Sequence, residues 1–288
     1  MIKKLSLITV LCTIVASSQA ANLTQKEYTK QFNKYNACFI LYDVNAHKTV
    51  AEYNPNNRCN QRIPSNSTFK IAISLIAFDQ GLISESTEFK QTWPNNPNIP
   101  NWNHDQTAKS WLANSVVPIS QQITTKVGIA KMQHYMAGFA YGNQDFSGDP
   151  GKNNGITNAW LSSSLKISAL EELTFLKAML DHELPVNNNA IDQTKAILPS
   201  DQLKNGLTYR GKTGSGWKNR RADGKNAGHE RDGWYVGYVE SENNQYIFVT
   251  NLTDKAKPAA DKSLFGGEDA KKATVSLLNS YFNQTNPK

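Results

Sequence analysis

The chain has 288 residues, of which 39% are hydrophobic, 10% aromatic and 19% charged, the composition of a globular protein large enough for a dry core and a recessed site. Its net charge of +7 comes from scattered cations, with Arg220-Arg221 the only adjacent arginines, which argues against a nucleic-acid surface. Five histidines and three cysteines show no zinc-ligand spacing, so no metal site is expected.

Residues 1–20 read as a secretory leader. Lys3 and Lys4 precede a mostly apolar run over residues 5–16, too short to span a bilayer comfortably, and Ser18-Gln19-Ala20 supplies small residues for cleavage after Ala20. Cys12 follows Leu11 instead of the small residue that a lipidation site needs. A periplasmic or secreted chain without a membrane anchor is therefore expected. Residues 26–35 predict a short helix. Two strand-like stretches follow, 39–44 and 49–53, with Asn45-Ala46-His47-Lys48 at the turn of a hairpin. Cys38 and Cys59 flank this hairpin and are either a disulfide or two separate thiols.

After Pro64-Ser65-Asn66 an apolar helix is predicted over residues 67–78, with Gly81 as its C-terminal cap. Residues 82–200 are mostly helical in pattern, interrupted by Pro- and Asn-rich residues 93–100 and by Gly-, Asp- and Asn-rich residues 143–158. Residues 167–180 have helical spacing. Beyond Gly206 the period changes to strands at 207–211, 234–239 and 246–251, and residues 268–282 form a last amphipathic helix with Ala273, Leu277, Leu278 and Tyr281 on one side. Strands at both chain ends and helices between them predict an α/β (α+β) fold. Its mostly antiparallel sheet is built from residues of about 21–66 and 205–288, flanked by helices, with an all-helical subdomain of about 67–204 inserted into a single catalytic domain. No heptad repeat decides between monomer and homodimer.

Three short segments carry chemistry. Ser67-Thr68-Phe69-Lys70 heads the apolar helix, so Ser67 and Lys70 share one face. A serine hydroxyl needs a neighbouring base, and a lysine in apolar surroundings loses its charge readily. Ser163-Ser164-Leu165-Lys166 and Ser215-Gly216-Trp217-Lys218 fit the same template, and an ordinary N-cap serine is the plainer alternative. Ser115-Val116-Val117 offers a hydroxyl for proton relay. Lys212-Thr213-Gly214 lies at the end of a strand-like stretch, where Gly211 and Gly214 would let a substrate approach the backbone and Lys212 and Thr213 would bind a carboxylate. Ser-x-x-Lys, then a serine-led motif, then Lys-Thr-Gly is the signature order of penicillin-recognising serine enzymes.

These segments resemble the class D β-lactamases, the oxacillinases. The resemblance also takes in Tyr141-Gly142-Asn143 and the tryptophan at Trp160-Leu161-Ser162, and runs from about Ala37 to Phe282. No Glu-x-x-Leu-Asn follows at Glu171-Glu172, as a class A enzyme would need, and the Ser-x-Val motif ahead of Tyr141 argues against class C. The resemblance implies a β-lactamase/transpeptidase-like fold and β-lactam substrates. It implies an acyl-enzyme on Ser67, with Lys70 carboxylated by carbon dioxide to N6-carboxylysine as general base, and no other cofactor. Phe69, Val117 and Trp160 would wall the carbamate, and the Trp160 indole N–H would donate to it. Ser115 would protonate the lactam nitrogen, the Ser67 and Ser215 amides would form an oxyanion hole, and Lys212 and Thr213 would hold the substrate carboxylate beside Gly214. Tyr141, Gly142 and Asn143 would be structural. The family's carboxylate-binding arginine near the last helix has no counterpart after Asn251, where Lys257, Lys262 or Ser263 would substitute. A β-lactam sensor domain and a penicillin-binding transpeptidase are the rival readings.

Overall fold

The computed structural model describes residues 22–218, 230–258 and 265–285. The expected leader with its cleavage at Ala20 lies outside these residues, as do Lys262 and Ser263. No helix among the described residues is long and apolar enough to cross a membrane.

A capping box between Thr24 and Glu27 starts α1 (Gln25–Phe32), which ends earlier than expected because Tyr35 opens β1 (Tyr35–Asp43). The chain turns back as β2 (Lys48–Tyr53), and a 3-10 segment, Pro55–Asn60, returns to β1, where Cys59 forms a disulfide with Cys38. Next come β3 (Ile63–Pro64), the 3-10 turn Asn66–Phe69 and α2 (Lys70–Asp79). The insert continues through β4 (Glu88–Phe89), β5 (Gln106–Thr107), α3 (Ala108–Ala113), α4 (Val117–Val127), α5 (Ile129–Gly138) and α6 (Gly155–Asn158). It closes with β6 (Lys166–Ile167), α7 (Ala169–Leu180) and α8 (Asn188–Ile197). The chain then re-enters the sheet as β7 (Ser200–Gln202), β8 (Thr208–Trp217), β9 (Arg231–Glu240) and β10 (Gln245–Asp254), and ends in α9 (Gly266–Thr285).

The six-stranded sheet has the order β2-β1-β10-β9-β8-β7, antiparallel throughout. One face packs Phe39, Tyr235 and Phe248 against Phe32 of α1 and Leu277 and Leu278 of α9. The other packs Ile40, Trp234 and Val249 against the inserted helices, through Phe69, Ile73 and Trp111. Because both faces are covered, β9 and β10 are buried with almost no polar–apolar alternation. Every residue of α2 from Lys70 to Phe78 is buried, which places an almost wholly apolar helix at the centre of the insert.

Four expectations are corrected. Ser67 sits in a 3-10 turn, and the α-helix proper begins at Lys70. Ile167 pairs with Ile63 in a ribbon, so α7 starts only after the Ser168 cap. The insert is not wholly helical, since the ribbons β3–β6 and β4–β5 tie its loops together. Lys212-Thr213-Gly214 lies well inside β8, which runs on to Trp217 because β9 pairs with it along its whole length.

Where β9 begins, the buried Arg231 guanidinium donates to Asp254 (2.8 and 3.0 Å) and to Asp269 (2.9 Å), and Tyr35 Oη donates to Asp269 as well. One cation thus joins β9, β10, α9 and β1. The disulfide acts on the unfolded chain by closing a loop of 21 residues. Replacing Cys38 and Cys59 together by alanine is expected to lower stability by about 3 kcal/mol, measured by urea unfolding against the oxidised wild type.

Candidate active site

The 3-10 turn puts Ser67 half-buried at the head of α2, and one turn on the Lys70 amine donates a 3.0 Å hydrogen bond to Ser67 Oγ. Lys70 is wholly enclosed. Burial, and after it the nearby charge of Lys212, holds its amine well below the usual lysine range.

Ser115 reaches the same place from a different element. It links α3 to α4 with a left-handed backbone (φ 57°). Its Oγ accepts a 3.0 Å hydrogen bond from Lys212 Nζ, which also donates to the Thr213 carbonyl (2.9 Å). Lys212 is buried too, and burial alone lowers its proton affinity to about 7. Val117 opens α4 and is half-buried, whereas the fully buried valine of that motif is Val116.

The strand supplies an open edge. β7 pairs only as far as Arg210, so among the described residues β8 has no strand neighbour on that side from Gly211 onward. Along this edge Gly211 N donates to the Pro199 carbonyl and Trp217 N to Ser162 Oγ. The two-residue period of the strand turns the Thr213 and Ser215 amides the same way, towards the cleft. The Ser215 hydroxyl faces the other layer, accepting from Gly267 N at 3.0 Å. Gly214 is not bare for a substrate's sake. A Cβ there would sit 3.1 Å from the Ser65 carbonyl and 3.2 Å from Thr68, so its missing side chain makes room for the turn that carries Ser67.

Trp160 is completely buried, its ring 5.4 Å from Phe69, and its indole N–H has no hydrogen-bond partner among the described residues. Tyr141, Gly142 and Asn143 stand behind the site. Tyr141 packs on Phe69 at 5.3 Å, and Asn143 bonds to the Ser164 carbonyl and the Lys166 amide. At Gly142 (φ 53°) a Cβ would collide with the Lys166 carbonyl at 2.1 Å, so only glycine lets this bend meet the loop that carries Trp160.

Two residues that sequence reasoning passed over hold these parts in register. Asn66 has a left-handed backbone (φ 50°), and its Oδ1 accepts from the amide and hydroxyl of Ser162 at 3.0 and 3.1 Å. Ser162 Oγ in turn accepts from Trp217 of β8. An asparagine between a Pro-Ser break and the start of a helix was the available signal, since Asn tolerates this backbone region better than most residues. The Trp-rich loop of residues 93–102 is hung on the same region: Trp93 donates to the Trp102 carbonyl, and Trp102 to the carbonyl of Asn114, next to Ser115. Lys257 is exposed beyond the end of β10.

Comparison with known proteins gives the family. Residues 22–276 match the penicillin binding protein transpeptidase domain family. The chain is 38% identical to β-lactamase OXA-1 of Escherichia coli over 269 residues, 93% of this chain and 92% of the relative. The crystal structure of the class D β-lactamase OXA-427 superposes with a TM-score of 0.76 at 29% identity, over 87% of this chain and 100% of that one. The C-terminal domain of the Bacillus licheniformis BlaR penicillin-receptor is similar in fold, with a TM-score of 0.75 at 26% identity over 91% and 97% of the two chains. With an expanse of similarity that takes in nearly the whole described fold, the chain belongs to the class D β-lactamases.

Proposed function

We propose that this protein hydrolyses the lactam amide of penicillins and related antibiotics through an acyl-enzyme on Ser67, with a carboxylated Lys70 as the base for both half-reactions. One observation carries the reading: the buried Lys70 amine, its charge disfavoured, donates to Ser67, and the Trp160 ring, whose buried indole N–H has no partner among the described residues, packs on the adjacent Phe69. Only a neutral amine adds to carbon dioxide, and a buried anion needs donors. Trp160 supplies such a donor, and Phe69 and Val117 supply apolar wall. Carboxylation would give Lys70 an anionic oxygen able to take a proton from Ser67 and later from water.

The remaining steps use groups already in place. Ser67 Oγ attacks the lactam carbonyl, and the amides of Ser67 and Ser215 receive the oxyanion. As the C–N bond breaks, Ser115 gives its proton to the lactam nitrogen and recovers one from Lys212, 3.0 Å away, and the proton that the carbamate took from Ser67 then passes to Lys212, which frees the carbamate for the second half-reaction. Lys212 and Thr213 attract the substrate carboxylate, a task in which no arginine after Asn251 shares. Water then attacks the ester carbon and Ser67 leaves with the proton returned. The reading includes export to the periplasm after removal of residues 1–20.

The likeness to the BlaR receptor domain raises a second reading, a sensor that is acylated and then stalls. Turnover separates the two. Purified protein should hydrolyse a chromogenic cephalosporin repeatedly, faster with added bicarbonate, and Lys70→Ala should lower kcat/KM by about 10³-fold. A single stoichiometric burst in saturating bicarbonate would point to a sensor or a transpeptidase. The bicarbonate concentration for half-maximal activity should rise as pH falls, because protonation removes the reactive form of the Lys70 amine. Trp160→Phe, which keeps the ring and removes the N–H, should raise that concentration about tenfold, read from bicarbonate titrations of initial rate.

A further inference from the structure

One ionisable group of the interior has no part in these steps. Glu172 lies on the inner face of α7 with Ala169, Phe175, Leu176 and Met179, and is wholly buried. Its Oε2 accepts a 3.4 Å hydrogen bond from Tyr141 Oη, and its Oε1 has no partner among the described residues. No cation reaches it among the described residues; its neighbour Glu171 takes the Arg62 ion pair on the outer side of the helix. A carboxylate enclosed with one long hydrogen bond and no counterion is far costlier than a neutral acid. Burial accordingly raises its proton affinity to about 8, opposed only by the hydrogen bond from Tyr141. Tyr141 is the one titratable group that acts on it, and burial drives that phenol well above its ordinary range as well.

Tyr141 connects this acid to the nucleophile. The hydroxyls of Ser65 and Thr68 lie near its phenol oxygen, Ser65 Oγ without a hydrogen-bond partner among the described residues, and Thr68 Oγ1 donates to the Ser65 carbonyl at 2.8 Å. The Tyr141 ring packs between Phe175 of α7 (5.1 Å) and Phe69 (5.3 Å). Glu172, Tyr141, Ser65 and Thr68 thus form a buried polar cluster against the inner side of the turn whose outer side presents Ser67.

We propose that Glu172, as a neutral acid, is a positioning residue that holds Tyr141 and, through it, the backbone of residues 65–68 that aims Ser67 at Lys70. The proposal rests on reading Ser67 as nucleophile and Lys70 as base, and its tests are chosen to fail separately from that reading.

Two variants decide it, each compared with wild type as the full chain. Glu172→Gln keeps reach and neutrality; Glu172→Met keeps volume and loses the hydrogen bonds. The Met variant should lose about tenfold in kcat with KM within about twofold, whereas the Gln variant should stay within about twofold of wild type. In a Tyr141→Phe background, Glu172→Met should cost little more, because the two act as one unit. A Met variant with wild-type kcat, a Gln variant as impaired as Met, or fully additive losses would each overturn the proposal.

A stability measurement tests the neutral form without reference to catalysis. Glu172 keeps its proton in the fold up to about pH 8 and loses it near 4.5 when unfolded, so wild-type stability should fall as pH rises through that window and level off above it. Glu172→Gln lacks this loss, so its Tm should gain steadily on wild type between pH 5 and pH 8. A Tm difference that stays constant over that range would mean an ionised Glu172 and overturn the proposal. Bicarbonate titration of the wild type judges the Lys70 base independently of either result.

Discussion

A lysine amine sealed inside an apolar helix has few states open to it. As an ammonium it would need a carboxylate or a shell of acceptors, and Lys70 has only Ser67 Oγ within reach and a second buried lysine nearby. The chain therefore disfavours its charged form, and that constraint organises its surroundings. α2 is buried along its length, the ring walls Phe69 and Trp160 exclude water, and the residues around the amine offer no acid to pair with it. A buried amine beside a serine hydroxyl, and a buried indole N–H without a partner among the described residues, are both costly to keep in a core.

The rest of the fold brings an edge strand to that amine. β8 crosses beneath the turn of residues 66–69 with Lys212, Gly214 and Gly216 on its inner face, and two of these three positions lack side chains because the turn and the Ser162 hydroxyl lie against them. Asn66 and Ser162 lock turn, loop and strand together through three hydrogen bonds of about 3 Å. Each of the three chemical segments belongs to a separate layer or loop, so the catalytic geometry is a property of the interface between sheet and insert. The Arg231 cluster and the disulfide tie the same sheet together, the first where β9 begins opposite Trp217 of β8 and the second at Cys38 of β1.

Lys70, Lys212 and Glu172 are buried ionisable groups with no opposite charge beside them among the described residues. In each, burial pushes the group towards its uncharged form: amines downward, the acid upward. Such groups are expensive to keep in a core and are tolerated where a developing charge or a rigid hydrogen-bond frame requires them.

Much of this was legible in the chain itself. Hydrophobic period and turn residues located α2, the hairpin of β1 and β2, the paired strands β9 and β10, and α9, because those elements bury continuous local patterns. The order of the serine, lysine and Lys-Thr-Gly segments identified the reaction family, since each motif encodes its own short-range geometry. What the sequence could not decide was set by contacts between segments far apart in it. Only packing against the sheet shows that Gly214 yields space to the Ser65 carbonyl, that Lys212 donates to Ser115, and that β8 continues past the lysine motif along β9. Only the folded core shows Glu172 facing Tyr141, because two adjacent glutamates on α7 are alike as residues and only their neighbours in the fold separate the buried one from the one that pairs with Arg62. Local pattern determined the elements and the chemistry they carry; burial and register, which are sums over distant residues, decided which groups meet and in which protonation state.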